Sequence, residues 1–186
     1  MNIACQNWHK EVEVVPSPNF NERPDSKDIS LLVIHNISLP PGKFGGGYIQ
    51  QFFQNKLDPS IDPFFEEIKE LKVSAHFLIE RSGHIVQFVP TGCRAWHAGV
   101  SIFEGRENCN DFSIGIELEG TDIDPYSDDQ YNALATLTQQ LRDIYPKIEL
   151  DRIVGHSDIA PERKTDPGPS FDWQKYRKLL AELNRE

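Results

Sequence analysis

The residues with most chemistry to offer lie in one stretch, Ile153 to Trp173, which reads IVGHSDIAPERKTDPGPSFDW. It brings a histidine (His156), a lysine (Lys164) and an aspartate (Asp166) together on a segment that Pro161 and Pro167 keep from forming a regular helix. Pro167 also biases Asp166 towards extended backbone. Residues two apart on an extended chain point the same way, so Lys164 and Asp166 are expected to share a side. A second histidine, His35, ends the apolar run SLLVIH at 30–35, which lacks helical spacing and reads as a buried strand. If the strands ending on His35 and His156 are neighbours, the two imidazoles converge beyond the carboxyl ends of the strands, where open α/β sheets gather their ligands. Two histidines, one carboxylate and an open fourth position form the pattern of a catalytic zinc site. Spacing leaves a plainer alternative open: Asp166 paired with a surface lysine, a common and weak interaction, and His156 satisfied at a strand end. No HExxH helix anchors the metal reading.

Other chemistries find less support. Neither Cys93 nor Cys109 has the adjacent base and positive surroundings of a thiolate nucleophile. No G-x-S-x-G elbow exists for a serine nucleophile. The three glycines at 45–47 are not followed by the GK[ST] of a phosphate loop.

These residues need a scaffold to hold them, and the hydrophobic pattern supplies one. Residues 13–29 are polar and broken by three prolines, an irregular arm on the surface. The stretch SLPPGKFGGGY after Asn36 is a long loop, a candidate lid or substrate rim. Short helices are expected at Tyr48 to Asn55 and, from the N-cap Asp62 and Pro63, through about Glu70. Ala75 to Glu80 and Ile85 to Val89 form a hairpin across a short turn containing Gly83. Residues 92–105 are loop-like. From Phe112 to Glu119 the sequence FSIGIELE alternates. Phe112, Ile114, Ile116 and Leu118 would face one layer, and Ser113, Gly115, Glu117 and Glu119 the other. Two carboxylates beside a glycine suit either a solvated sheet face or a site. Ser127 to Gln130 is a capping box opening an amphipathic helix that stops before Pro146. Arg152 to His156 is a further strand. A last helix from Asp172 to about Leu183 is expected to bury Trp173, Tyr176, Leu179, Leu180 and Leu183. Strands interleaved with helices imply an α/β domain, a central mixed β-sheet flanked by α-helices.

Composition bounds the partners. The 186 residues suit one domain, 1–186, with 1–29 as the arm packed on it. A net charge of −10 disfavours nucleic acid, anionic membrane and anionic polymers as partners and suits a small-molecule substrate. No protein partner is indicated. No run approaches the ~18 apolar residues that cross a membrane. The first residues lack the basic and apolar regions of an export signal. Cys5, Cys93 and Cys109 therefore read as reduced thiols, and the protein as cytoplasmic.

Five segments share a pattern with a known family: NISLPPG (36–42), VSAHFLI (73–79), RAWHAGVS (94–101), CNDFSIGIELEGTD (109–122) and GHSDIAPERKTDPGPSFDW (155–173). In that order the chain resembles the AmpD-type 1,6-anhydro-N-acetylmuramyl-L-alanine amidases, zinc enzymes that share a fold with peptidoglycan-recognition proteins. The resemblance runs from about Pro16 to Trp173. It implies one Zn2+ per chain on His35, His156 and Asp166, Glu117 and not Glu119 as the catalytic carboxylate, and Lys164 as the cation that stabilises the transition state. It implies that Asn36, Trp96 and His97 line the muramyl and peptide pocket, and that His76 plays a supporting part. Lys72 and Asn108 stand where family members carry arginines that bind substrate, and Tyr48 stands for a tryptophan. Lysine cannot copy a bidentate arginine grip on a carboxylate. The reaction implied is hydrolysis of the bond between 1,6-anhydro-N-acetylmuramic acid and L-alanine of a muropeptide in cytoplasmic peptidoglycan recycling. An amidase of intact peptidoglycan and a non-catalytic muropeptide binder are the alternatives.

Overall fold

The computed structural model describes residues 7–183. Cys5 and the first part of the arm lie outside them. Among the described residues ten strands run in chain order: β1 (Glu13–Val14), β2 (Phe20–Asn21), β3 (Leu31–Ile37), β4 (Phe77–Ile79), β5 (Ile85–Gln87), β6 (Arg94–Ala95), β7 (Ile102–Phe103), β8 (Arg106–Glu107), β9 (Ser113–Glu119) and β10 (Ile153–Gly155). The helices are α1 (Tyr48–Phe53), α2 (Pro63–Ile68), α3 (Asp128–Ile144), α4 (His156–Ile159) and α5 (Trp173–Leu183). Six strands form the main sheet in the order β1-β5-β4-β9-β3-β10. Its pairs are parallel except β4–β5, the mixed sheet expected from the pattern.

The central strands β3 and β9 are apolar on the face that meets α3 and α5. There Leu32, Ile34, Ile114, Ile116 and Leu118 pack with Leu134, Leu137, Leu141, Tyr176 and Leu180. Both caps predicted from sequence form. Ser127 Oγ accepts from Gln130 N while Gln130 Oε1 accepts from Ser127 N, and Asp62 Oδ1 accepts from Phe64 N ahead of Pro63. The helix N-termini are thereby satisfied and the start points fixed.

The opposite face of β9 is fully covered. The solvated-face alternative for Glu117 and Glu119 is therefore wrong: short helices, the arm and the 92–105 loop overlie it. Phe112 also departs from expectation. It lies in the turn ahead of β9 and packs with Leu31 and Val33 on that second face, so the alternation begins only at Ser113. His156 does not end a strand. β10 stops at Gly155 and His156 opens the single turn of α4. Leu183 is at the exposed end of α5, not buried.

The arm is more than a surface strap. Its β1 adds to the main sheet and β2 pairs with β6, and Arg23 is 7 % exposed. Arg23 spends its guanidinium on backbone carbonyls: Nε and Nη2 donate to Thr91 O, Nη1 to Asn110 O and Asp111 O, and Nη2 to Ser113 O. Burial lowers its pKa to about 10, which leaves the cation intact at neutral pH. Proline spacing gave no sign of this role. Cys109 is free and buried.

Candidate active site

Strand register builds the site. Ile34 is paired with Gly155 across the parallel β3–β10 ladder, so His35, the next residue of β3, and His156, the first residue of α4, follow that pair side by side. His35 is itself paired with Glu117 across β3–β9. Register partners in a parallel sheet point to the same face, so Glu117 and His35 lie side by side towards the carboxyl ends of β9 and β3, with His156 beside them just past the end of β10, the position ligands favour in α/β sheets. The loop after α4 closes the site. Ser157 N donates to Asp166 O, folding the proline-punctuated segment back so that the Asp166 carboxylate meets both imidazoles.

Three ligand atoms converge. His35 Nδ1 lies 2.9 Å from His156 Nδ1, and Asp166 Oδ2 lies 3.1 Å from the first and 3.0 Å from the second. They are the one such cluster among the described residues that could hold a metal ion. The group fits zinc on three counts. Tetrahedral ligands at about 2.0–2.1 Å from zinc stand about 3.3 Å apart, close to this triangle. Each imidazole has its outer nitrogen engaged elsewhere: His156 Nε2 donates to Ala98 O at 3.0 Å, and His35 Nε2 faces His97 Nδ1 at 2.9 Å. Protons on the outer nitrogens would turn both Nδ1 lone pairs inward, as metal ligation requires; a proton on either Nδ1 instead bonds Asp166 Oδ2. The charge states also fit. Burial, opposed by Asp166, lowers the His35 pKa to about 4 and keeps the ring neutral. Burial resists ionisation of Asp166, but hydrogen bonds from His156 and His35 outweigh it and hold the carboxyl far below its usual range. A neutral His35 imidazole and an ionised Asp166 carboxylate are the deprotonated forms that bind metal.

Glu117 borders the triad with Oε2 buried and unpartnered. Burial first, then the Asp166 charge, pushes its pKa well above the carboxylate range, while Lys164 pulls it back. A carboxyl whose pKa is raised by burial is of the kind that serves as a proton carrier in catalysis. Lys164, Asn36, Trp96 and His97 open on the same cleft of about 270 Å³ as Glu117 and the triad. Phe52, Phe64 and Ile68 from α1 and α2 make its apolar wall. Asn36 Nδ2 donates to Asp122 Oδ1 and Pro167 O, and Trp96 Nε1 donates to Asn21 Oδ1 on the arm.

Two of the expected substrate residues sit elsewhere. Asn108 lines a neighbouring groove with Val100 and Arg163, turned there by its left-handed backbone, φ 58°. Lys72 is exposed between Leu71 and Val73, which do line the cleft. His97 touches a triad histidine as well as the cleft, which its place beside Trp96 did not reveal. Tyr48 packs against Phe65. The glycine-rich loop is tied down where Gly45 N donates to Glu119 Oε1. Sequence reasoning missed Arg23, Asn110 and Arg163. Asn110 Oδ1 accepts from His97 N and Ala98 N.

Comparison with known proteins identifies the family. Residues 25–169 match the N-acetylmuramoyl-L-alanine amidase family. The 1,6-anhydro-N-acetylmuramyl-L-alanine amidase AmpD of Haemophilus influenzae is 61% identical over 162 residues, 87% of this chain and 88% of that protein. The crystal structure of a selenomethionine derivative of AmpD superposes with a TM-score of 0.90 at 58% identity, covering 93% of this chain and 96% of that one. The amidase AmiD of E. coli, in complex with the substrate anhydro-N-acetylmuramic acid-L-Ala-D-γ-Glu-L-Lys, gives a TM-score of 0.61 at 32% identity, over 82% of this chain and 57% of that one.

Proposed function

We propose that this chain, which belongs to the N-acetylmuramoyl-L-alanine amidase family, hydrolyses the amide between 1,6-anhydro-N-acetylmuramic acid and the L-alanine of a stem peptide, with one zinc ion. The observation that carries the reading is the Glu117–His35 pair near the carboxyl ends of the central strands, joined by His156 and closed by Asp166.

In this reading His35, His156 and Asp166 hold the metal. Zinc at such a site supplies a Lewis acid that activates water and polarises a carbonyl. Glu117 takes the proton of the attacking water and returns it to the departing alanine amine, so one group serves first as base and then as acid. The carboxylate of Asp166 leaves the site with less positive charge than a third histidine would. The Lys164 ammonium makes up part of that difference at the oxygen of the scissile carbonyl, where negative charge develops. Asn36, Trp96 and His97 orient the sugar and the first peptide unit. Lys72 and Asn108, further out, are proposed to meet the acidic stem.

The whole chain, arm included, is proposed to work as one amidase domain without an obligate protein partner. No helix among the described residues is long and apolar enough to cross a membrane. Peptidoglycan recycling in the cytoplasm is the proposed setting, supported by the net charge of −10, ill suited to an anionic wall.

The test is turnover of soluble anhydro-muramyl-tripeptide by protein as purified, after chelation, and after zinc is restored. Activity lost and then regained with zinc supports the whole reading. Activity unchanged after proven metal removal overturns it. Faster release of peptide from purified sacculi than from the soluble substrate would favour the intact-wall amidase.

A further inference from the structure

Two consecutive residues address the outer nitrogens of both triad histidines. His97 Nδ1 meets His35 Nε2, and the next carbonyl, Ala98 O, accepts from His156 Nε2. The 96–100 turn is therefore a common mount for both imidazoles. One side of that mount is held by Asn110, whose Oδ1 takes the N–H groups of His97 and Ala98. The other side is held by Arg163. Its Nη2 donates to Ala98 O at 2.6 Å and to Val100 O at 2.8 Å, straddling Gly99. Gly99 has φ +57°, and a Cβ there would press on the guanidinium at 3.1 Å. The glycine thus permits both the left-handed turn and the close approach of the arginine.

We propose that Arg163 is a positioning residue for the metal site, acting through the Ala98 carbonyl on His156. A backbone carbonyl in a turn is free to rotate unless something fixes it. Arg163 fixes this one from outside while His156 uses it from inside. Arg163 Nη2 and His156 Nε2 lie 3.4 Å apart. Both are donors converging on one acceptor, so neither bonds the other and each limits where the other sits. A guanidinium suits the task because one nitrogen carries two N–H groups with fixed directions, matched here to two carbonyls of one turn. Without Arg163, Ala98 O turns away, the His156 ring gains freedom about its χ angles, and Nδ1 is no longer held on the ligand triangle. Partners of this kind typically alter metal affinity or activity roughly 10–100-fold.

The inference rests on the proposed zinc site, and the experiment separates the two. Arg163→Ala, Arg163→Lys and wild-type protein are loaded with zinc, and the rate of zinc loss to a chromogenic chelator is followed. Turnover of anhydro-muramyl-tripeptide and the melting temperature of the metal-free proteins are measured beside it. Cobalt-loaded samples report ligand geometry through their visible absorption. The expected result for Arg163→Ala is zinc loss faster by roughly tenfold or more, a changed cobalt spectrum, lower kcat at little-changed KM, and metal-free melting close to wild type. Arg163→Lys should recover part of the zinc retention. Wild-type zinc retention and cobalt spectrum in Arg163→Ala would overturn the proposal while leaving the zinc site in place. So would a retention defect matched by an equal drop in metal-free melting. A wild-type protein that takes up no zinc would overturn the underlying site itself.

Discussion

The imidazole of His97 lies against Gly115, where a Cβ on residue 115 would overlap its Cγ, Nδ1 and Cδ2. Gly115 is two residues before Glu117 on the same face of β9, and its missing side chain is the space in which His97 reaches His35. Gly115→Ala should expel the ring, since Gly115 is not among the residues held at positive φ and the backbone accepts alanine. The expected outcome is a loss of roughly 10–100-fold in zinc affinity or turnover, read by chelator competition and kcat. Wild-type behaviour would show that His97 does nothing for His35.

Glu117→Gln keeps the shape of the base and removes its chemistry. Turnover should fall by roughly 10²–10⁴-fold with zinc content unchanged by metal analysis. The variant should melt no lower than wild type, because it removes a buried carboxyl with an unpartnered oxygen. Near-normal turnover would sink the base assignment.

Lys164→Ala and Asp166→Ala should fail in different ways. The first should retain zinc and lose roughly 10²–10³-fold in kcat, the scale of a lost oxyanion donor. The second should lose zinc and activity together. Zinc-free protein from Lys164→Ala, or a fully loaded Asp166→Ala, would contradict the division of roles.

Arg23→Met should destabilise the fold by about 2–5 kcal/mol, measured by urea unfolding. It strands the carbonyls of Thr91, Asn110, Asp111 and Ser113, and buried acceptors left unmet are costly. An unmoved midpoint would reduce the arm to a passive strap.

His76 gives a pH prediction. Burial first, then the charge of Arg23, holds its pKa well below the ordinary value of 6.5. Between the folded and unfolded values only the unfolded chain binds the proton. The contribution is therefore fully present above pH 6.5 and lost as pH falls below it. In metal-free protein, wild type should lose about 1.4 kcal/mol more stability per pH unit below 6.5 than His76→Gln. Parallel stability curves for the two would exclude this role.

Much of the scaffold was legible because local rules govern it. The Ser127 box, the Asp62–Pro63 cap and the apolar run before His35 depend on neighbours in sequence and appear where predicted. His156, Lys164 and Asp166 could be read as one segment for the same reason. The register that seats His35 between Glu117 and His156 is a tertiary fact, and alternation along β9 could not choose Glu117 over Glu119. The two differ only in what stands opposite. Glu117 has His35, whereas Glu119 is used to anchor Gly45 and the Arg81 amide. Arg23, Asn110 and Arg163 were illegible because their hydrogen bonds go mainly to backbone carbonyls and amides, which every residue carries and no motif marks.

The row of Glu117 and His35 sits on β9 and β3, whose apolar residues from Leu31 to Ile34 and Ile114 to Leu118 are at most 1 % exposed. Amides in that ladder exchange with solvent only when the whole sheet opens. Hydrogen-exchange protection should therefore be greatest where the chemistry is seated. Heating should end activity in step with global unfolding, with no earlier phase in which a still-folded protein loses its catalytic row.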